Sequence, residues 1–410
     1  MKKPVAFIIF NRPDTTAIVF EEIRKYAPEQ LFVIADGPRV YKNGEVQICL
    51  ETREVIQVNW DCDVTYIYSE ENLGCQKRIS SGLDEVFSYV EDAIILEDDC
   101  VPHEDFFVFC EDLLDYYKSD EGIMAISGDN FQDNNFEIEE SYYFSIFPHC
   151  WGWATWRRAW SKMDVEMKEW SAVKENDLFK EYWFDIYFEK YWTNIYDRVS
   201  NGEIDSWAYP WTFSCWFYRG KTILPKKNLV SNIGFGENAT HTNSENKLLG
   251  NLPVHKMDFP LKHPTCLKTN FEADFYTSEK VYYVDALKEH AMTNSMKIQL
   301  FKYLMDLRNL EDLFKNEVYI FGTGELGKMI NSFFKANGYQ IEKFIVSEPS
   351  EYNQSFDGVE VVEPTNLSEK KMKIIVSIEG KHDKEIIVKL KQIFKEDMVE
   401  IFSWKDLILS

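Results

Sequence analysis

Ile95-Leu96-Glu97-Asp98-Asp99-Cys100 sets three consecutive acids directly behind an apolar run that begins at Asp92. The run Asp92-Ala93-Ile94-Ile95-Leu96 reads as a short buried strand, which puts the acids at its end. Alternation along a strand sends Glu97 and Asp99 to one side and Asp98 to the other. Carboxylates this close repel one another and are costly to bury without a cation. A hard divalent ion, Mg²⁺ or Mn²⁺, relieves that cost through oxygen ligands and can hold a diphosphate as well. A solvated acidic turn at a strand end is the competing reading.

Working outward from this strand, the first hundred residues alternate strand and helix. Val5 to Phe10 is a strand that ends at Asn11-Arg12-Pro13, and Asp14 or Thr15 is placed to cap a helix reaching Tyr26. Leu31 to Ala35 is a second strand, closed by Asp36-Gly37-Pro38-Arg39. A helix over 44–59 precedes a third strand, Val64 to Tyr68. Asn72-Leu73-Gly74 then opens a helix from Gln76 to Val90, which feeds the strand before Glu97. A βαβαβαβ series implies a doubly wound α/β sheet with ligands at the carboxyl ends of its strands. Every polar cluster named so far falls at such an end.

Composition narrows the class. The 410 residues suffice for two or three domains with substantial cores. The chain is 45% hydrophobic and 16% aromatic, which excludes a disordered protein. Its formal net charge of -24 argues against nucleic-acid binding, which needs a basic face. An anionic substrate would need local Arg, Lys or metal to offset that field. The start shows no signal-peptide pattern and no apolar run reaches the length of a membrane span. The eight cysteines form no Cys-x-x-Cys pair, so they read as reduced thiols. The expectation is a soluble cytoplasmic protein.

Several residues at these strand ends can carry chemistry. Arg12 can fork onto a phosphate, or be a solvated arginine in a turn. Asp36 can accept from a base N–H or a ribose hydroxyl, or brace the Gly37-Pro38 turn. Gly74 permits close backbone approach, and Lys77 and Arg78 put two cations at a helix start, where a bound anion would compensate them. Trp151, Trp153 and Trp207 offer flat faces for sugar rings, though tryptophan stripes also build cores. Asp129, behind Ser127-Gly128, sits at a further strand end.

These features occur in eight ordered stretches: PVAFIIFNRPDTT, VIADGPR, NLGCQKRISSGLDEVF, AIILEDDCVPHEDFF, ISGDN, FPHCWGWATWRRAW, IDSWAYPW and NLVSNIGFGENATHT, within residues 4–242. The set resembles glycosyltransferases of the GT-A type, above all bacterial HlpA-like or family-2-like enzymes. It is more distantly similar to the N-acetylglucosaminyltransferase I family. The resemblance implies a GT-A nucleotide-diphospho-sugar transferase fold with a doubly wound mixed sheet. It implies a UDP-sugar or similar donor, Mn²⁺ or Mg²⁺, and a glycan or lipid-linked acceptor in cell-surface polysaccharide assembly. Asp36 would face the base, and Arg12 and Arg78 the diphosphate. Asp99 would be the metal ligand, supported by Glu97 and Asp98. Asp205 would take the acceptor's proton, with Glu203 its nearest substitute and a helix cap the competing role. Asp129 would lie near the sugar, and His241 resembles a late histidine ligand. Association with the inner face of the membrane and a homo-oligomer are compatible with this picture.

Residues 246–315 read as an irregular and helical connector following a domain over 1–245. A fresh βαβ pattern starts at 316. Val318 to Phe321 is a strand, and Gly322-Thr323-Gly324-Glu325-Leu326-Gly327 matches G-x-G-x-x-G entering a helix. Glu348, behind the strand Lys343 to Val346, is placed to meet a ribose diol. The expectation is a small Rossmann-like domain over 316–410, with NAD(P) as candidate ligand. An oxidoreductase or epimerase acting there, or a scaffold that only binds sugar nucleotides, is the alternative to a transferase.

Overall fold

The computed structural model of the chain describes residues 2–132, 136–235, 249–347, 355–356, 358–367, 370–379, 382–395 and 397–408. The chain divides into two compact units, Met1–Val284 and Asp285–Ser410. No helix among the described residues is long and apolar enough to cross a membrane.

The first unit opens with β1 (Val5–Ile9), α1 (Pro13–Tyr26), β2 (Gln30–Ala35), α2 (Glu45–Glu54), β3 (Asp63–Tyr68), α3 (Cys75–Tyr89) and β4 (Asp92–Glu97). β5 (Cys100–Pro102), α4 (Glu104–Tyr116), β6 (Ile123–Ser127), β7 (Tyr142–Ser145) and β8 (Trp153–Trp156) follow. The unit is completed by α5 (Arg157–Trp160), α6 (Trp170–Glu175), α7 (Ile186–Ser200), α8 (Ala208–Phe217), β9 (Lys221–Pro225), β10 (Val230–Asn232) and α9 (Phe271–Lys280).

Eight strands form one sheet in the order β3-β2-β1-β4-β8-β6-β9-β7. The first four are parallel, as the alternating pattern requires. β8 runs antiparallel between β4 and β6, and β7 antiparallel beside β9, so the sheet is mixed. Period-two alternation splits β1 between two cores. Val5, Phe7 and Ile9 face one, with Val19, Phe20 and Ile23 of α1. Ala6 and Ile8 face the other, with Ile79, Leu83 and Val86 of α3. Each large apolar side chain among these contributes about 1.5–3 kcal/mol on full burial, so both faces hold the sheet. This is the doubly wound arrangement expected.

Boundaries differ in places. The first helix begins one residue earlier than its expected caps: Arg12 takes the N-cap position without a side-chain bond, and Pro13 opens the helix. Proline suits that position because its missing N–H would have no helical partner there. α2 stops at Glu54 rather than 59.

The segment read as a connector is shared between the units. Lys262 N donates to Ser141 Oγ, and Asp274 of α9 accepts from Ser145 Oγ and Ile146 N, all within the first unit. In the second unit, α10 (Val284–Leu304) and α11 (Leu307–Leu313) put Leu300, Leu304, Leu310 and Leu313 into the core. That core also takes in β11 (Glu317–Phe321) and α12 (Glu325–Ala336). β12 (Phe344–Ile345), β13 (Ser355–Phe356), β14 (Val359–Val362), β15 (Met372–Val376), α13 (Asp383–Ile393) and β16 (Val399–Ser403) complete the chain. Its sheet, β13-β14-β12-β11-β15-β16, is parallel except for β13.

Candidate functional site

β4 ends at Glu97, and Asp98-Asp99 form the turn into β5. Regular strand alternation therefore stops at the first acid, earlier than the expectation of alternating sides through Asp99 assumed. Asp98 and Asp99 turn instead to one partner. Arg12, at the end of the neighbouring β1, sets Nη2 2.8 Å from Asp98 Oδ1 and Nη1 2.9 Å from Asp99 Oδ2. Phe10 N adds a 3.3 Å hydrogen bond to Asp98 Oδ2.

Burial works against charge on Arg12, yet Asp98 and Asp99 outweigh it and hold the guanidinium above its ordinary value. Burial, then repulsion from Asp99 and Asp98, pushes Glu97 upward; Arg12 and a hydrogen bond from Trp207 only partly offset this. Asp98 is pushed up by burial against the pull of Arg12. Three acids thus share one arginine, and burial pushes two of them toward the protonated form.

A second layer of backbone closes over this pair. β10 lies antiparallel to β5, and Ile233 N donates to Asp99 O at 2.8 Å. A Cβ at Gly234 would run into Asp99 Oδ2 and Arg12 Nη1, so glycine lets the main chain come this close.

At the end of β2, Asp36 is consumed locally. Its Oδ1 accepts from Gly37 N and Leu73 N at 2.9 Å, and its Oδ2 from Gly74 N and Asn72 Nδ2 at 3.0 Å. The carboxylate ties the β3–α3 loop to the sheet, which is the bracing role. Burial raises its pKa although these N–H groups and Arg78 pull it down. Arg78 itself is buried, its Nε lacks a hydrogen-bond partner among the described residues, and burial lowers its pKa. Lys77 is exposed.

Asp205 is exposed and caps a helix, though not the one that follows it. Its oxygens accept from Cys75 N at 3.0 Å and Gln76 N at 2.9 Å, the first turn of α3. Asp205 thereby satisfies two of the N–H groups that the start of α3 leaves without helical partners. It also lies beside the acidic cluster: the Cys75 thiol is pushed upward by burial first and then by both Glu97 and Asp205. Glu203 is exposed and 3.4 Å from Arg198 Nε.

The tryptophans part company. Trp153 and Trp207 are 1% and 3% exposed and stack with centroids 5.2 Å apart, in a cluster with Trp160 and Trp211. They are core, which corrects their expected role as a sugar wall. Trp151 is only partly buried and meets Phe131 and Phe235 edge-on.

Asp129, beyond the end of β6, pairs with a residue that sequence reasoning passed over. Its Oδ1 lies 2.6 Å from His149 Nδ1, and Trp151 N donates to its Oδ2 at 3.3 Å. His149 stands inside the stretch FPHCWGWATWRRAW, but a lone histidine carries no spacing signal; the only clue was its place in that stretch.

In the second unit Gly322 has φ +104, a backbone region that favours glycine. A Cβ at Gly327 would strike Gly322 O and Ser377 Oγ, whereas one at Gly324 would meet nothing within 4 Å. The turn thus has close helix packing at its third glycine and open space at its second. His241 and Glu348 lie outside the described residues.

No three acidic, His or Cys side chains among the described residues gather into a ready metal cage. The donor chemistry at Asp98 and Asp99 still suits a hard cation of the kind held by one or two carboxylates plus substrate phosphates.

No family model and no curated protein matches the chain. Solved structures that align with it include the mannosyltransferase PcManGT from Pyrobaculum calidifontis in complex with GDP-Man and Mn²⁺. That alignment has 16% identity over 38% of this chain and 45% of that one, with a TM-score of 0.26. S. aureus TarS 1-349 aligns at 12% identity over 56% and 59%, TM-score 0.31. GalNAc-T7 with UDP, GalNAc and Mn²⁺ aligns at 11% over 55% and 43%, TM-score 0.35. The chain spans about half the length of these structures. Likenesses this distant assign neither a fold family nor an activity.

Proposed function

We propose that the first unit is a metal-dependent, inverting GT-A-type glycosyltransferase using a nucleotide-sugar donor, with a UDP-sugar first in line. Its acceptor is a glycan or lipid-linked sugar of cell-surface polysaccharide assembly, reached from the inner face of the membrane. One observation carries the reading: Arg12 bridges Asp98 and Asp99 at the carboxyl end of β4. A cation site and an anion-binding arginine are thereby held together where a doubly wound sheet binds ligands.

Asp99 and Asp98 would hold Mn²⁺ or Mg²⁺. When bound, the ion supplies charge neutralisation for the departing nucleoside diphosphate. Arg12 forks onto the same diphosphate, and buried Arg78, with its unpartnered Nε, adds a second cation. Asp36 serves the donor by holding the 72–74 loop in place. An acceptor oxygen attacks the anomeric carbon, the bond to the diphosphate breaks, and Asp205 receives the hydroxyl proton. Asp205 is exposed and so accessible for this.

A thermal-shift series tests the donor site. UDP is expected to raise the melting temperature only with Mn²⁺ or Mg²⁺, and Asp99→Ala to abolish the shift. Metal-independent stabilisation, or an unchanged shift in Asp99→Ala, counts against the reading.

The close-packed Gly327 and the open Gly324 favour a second activity or binding function in the other unit, with NAD(P) as ligand. NADH quenching of tryptophan fluorescence that vanishes in Gly324→Val supports it. No quenching in the wild type removes it. A scaffold would bind sugar nucleotide yet neither hydrolyse nor transfer it.

A further inference from the structure

The Asp129–His149 pair is unusual in what it leaves unsatisfied. Both side chains are nearly inaccessible, at 1% and 2%, with 2.6 Å between Asp129 Oδ1 and His149 Nδ1. The other ring nitrogen, His149 Nε2, is buried with no hydrogen-bond partner among the described residues. Buried polar atoms are almost always paired, and an orphan calls for a reason such as a missing ligand.

The surroundings specify what that ligand carries. Asp129 takes up Nδ1, so Nε2 is the ring nitrogen left to meet a ligand. A hydroxyl group, which both donates and accepts, can pair with that nitrogen. Phe131 packs against the imidazole at 4.7 Å between centroids, and Trp151 meets Phe131 edge-on at 4.9 Å. Phe131 and Trp151 are each only partly buried, so aromatic surface reaches outward from the orphan nitrogen. An unpartnered polar atom set among aromatic faces is the composition of a small-ligand pocket. β4 and β6 both pair antiparallel with β8 and so run the same way, which puts Asp129, beyond the end of β6, at the same edge of the sheet as the acids at the end of β4.

We propose that His149, oriented by Asp129, binds a hydroxyl group of the carbohydrate acceptor through Nε2, with Phe131 displaced to admit the sugar against Trp151. This rests on the transferase reading for the identity of the ligand, and it makes Asp129 a positioning residue rather than a donor contact. Asp129→Asn keeps the shape but replaces the carboxylate at Nδ1 with a neutral amide, which weakens the contact that orients the ring.

The test uses the whole chain with ¹⁵N-labelled histidine and a panel of methyl glycosides of neutral hexoses and N-acetylhexosamines. At least one glycoside is expected to shift the His149 Nε2 resonance and to show saturation transfer. That saturation transfer is lost in His149→Ala and weakened at least tenfold in Asp129→Asn. A panel that leaves Nε2 unmoved overturns the proposal, as does a glycoside bound equally well by His149→Ala. The wild-type resonance decides the matter even if a variant fails to fold. UDP with Mn²⁺ is titrated in parallel. Glycoside binding that needs His149 without any UDP binding sinks the transferase reading and leaves this one standing. UDP binding with no response at Nε2 does the reverse.

Discussion

Two strand-end sites in this chain achieve their form by opposite means. In the first unit, charged side chains converge, and the backbone is drawn in around them: Arg12 spans Asp98 and Asp99, and Gly234 lets the main chain close over the pair. In the second, the glycine turn takes its shape from absent side chains, at Gly322, Gly324 and Gly327. The first site stores electrostatic energy and the second stores space. A damaged charge should therefore cost more than a damaged contact, and its cost should depend on pH.

The sharpest way to break this contrast is Arg12→Ala. It leaves Asp98 and Asp99 buried without their counter-ion, and about 3–5 kcal/mol of stability is expected to go. The loss should be smaller at pH 5 than at pH 8, because Asp98 is raised and takes up a proton more readily on acidification. Urea unfolding of the whole chain at both pH values measures it. An equal loss at both would show that the arginine acts by packing alone.

Asp274 sharpens the comparison away from any ligand site. Burial raises it to about 7, although Ser145 Oγ and Ile146 N favour its charged form. Its ordinary value is 3.8, so between roughly pH 4 and pH 7 the folded state keeps a proton that the unfolded state has lost. Stability contributed by this group is full below that window and falls as pH rises through it. Asp274→Asn is expected to flatten the fall in unfolding free energy across that range. A profile identical to wild type would discard the assignment.

Steric damage to the glycine turn comes next. Gly327→Ala forces a methyl against Gly322 O and Ser377 Oγ and is expected to cost the second unit about 1–3 kcal/mol, independent of pH. Gly324→Ala, with nothing in reach, should lie within about 0.5 kcal/mol of wild type. Calorimetry of the two variants checks the pair, and similar losses in both would mean the turn is not held by packing.

The smallest stability change among the charged positions is expected from Asp205→Ala, which removes the cap of α3 at about 1 kcal/mol. Transfer activity should fall far more than stability if Asp205 accepts the proton. Activity that tracks the stability loss alone would leave it a cap and nothing else.

The two sites also differ in how far they can be read from residues in order. The parallel strands β1 to β4 are legible because their apolar runs are bounded by turn residues, and the glycine turn is legible because its spacing is local. The end of β4 is not, because alternation extends on paper into Asp98 and Asp99, where the strand has already turned. Trp153 cannot be told from a sugar platform, since core and pocket both want an indole beside an apolar strand. The division at Val284 is hidden because no glycine or proline breaks the sequence between Pro264 and Gly322. Asp36 and Asp205 are legible as a possible turn brace and helix cap, but the groups they serve are not. The N–H groups they serve lie up to 130 positions away along the chain.

That last separation has a consequence for assembly. The first turn of α3 is complete only when Asp205 arrives, 130 residues after Cys75 and 129 after Gln76 have been synthesised. Contacts of such long range form late, because loop closure must precede them. During synthesis, the strand-helix units from β1 to β4 can thus gather before the start of α3 is locked. The edge of the sheet they share is therefore still incomplete when β4 has been made.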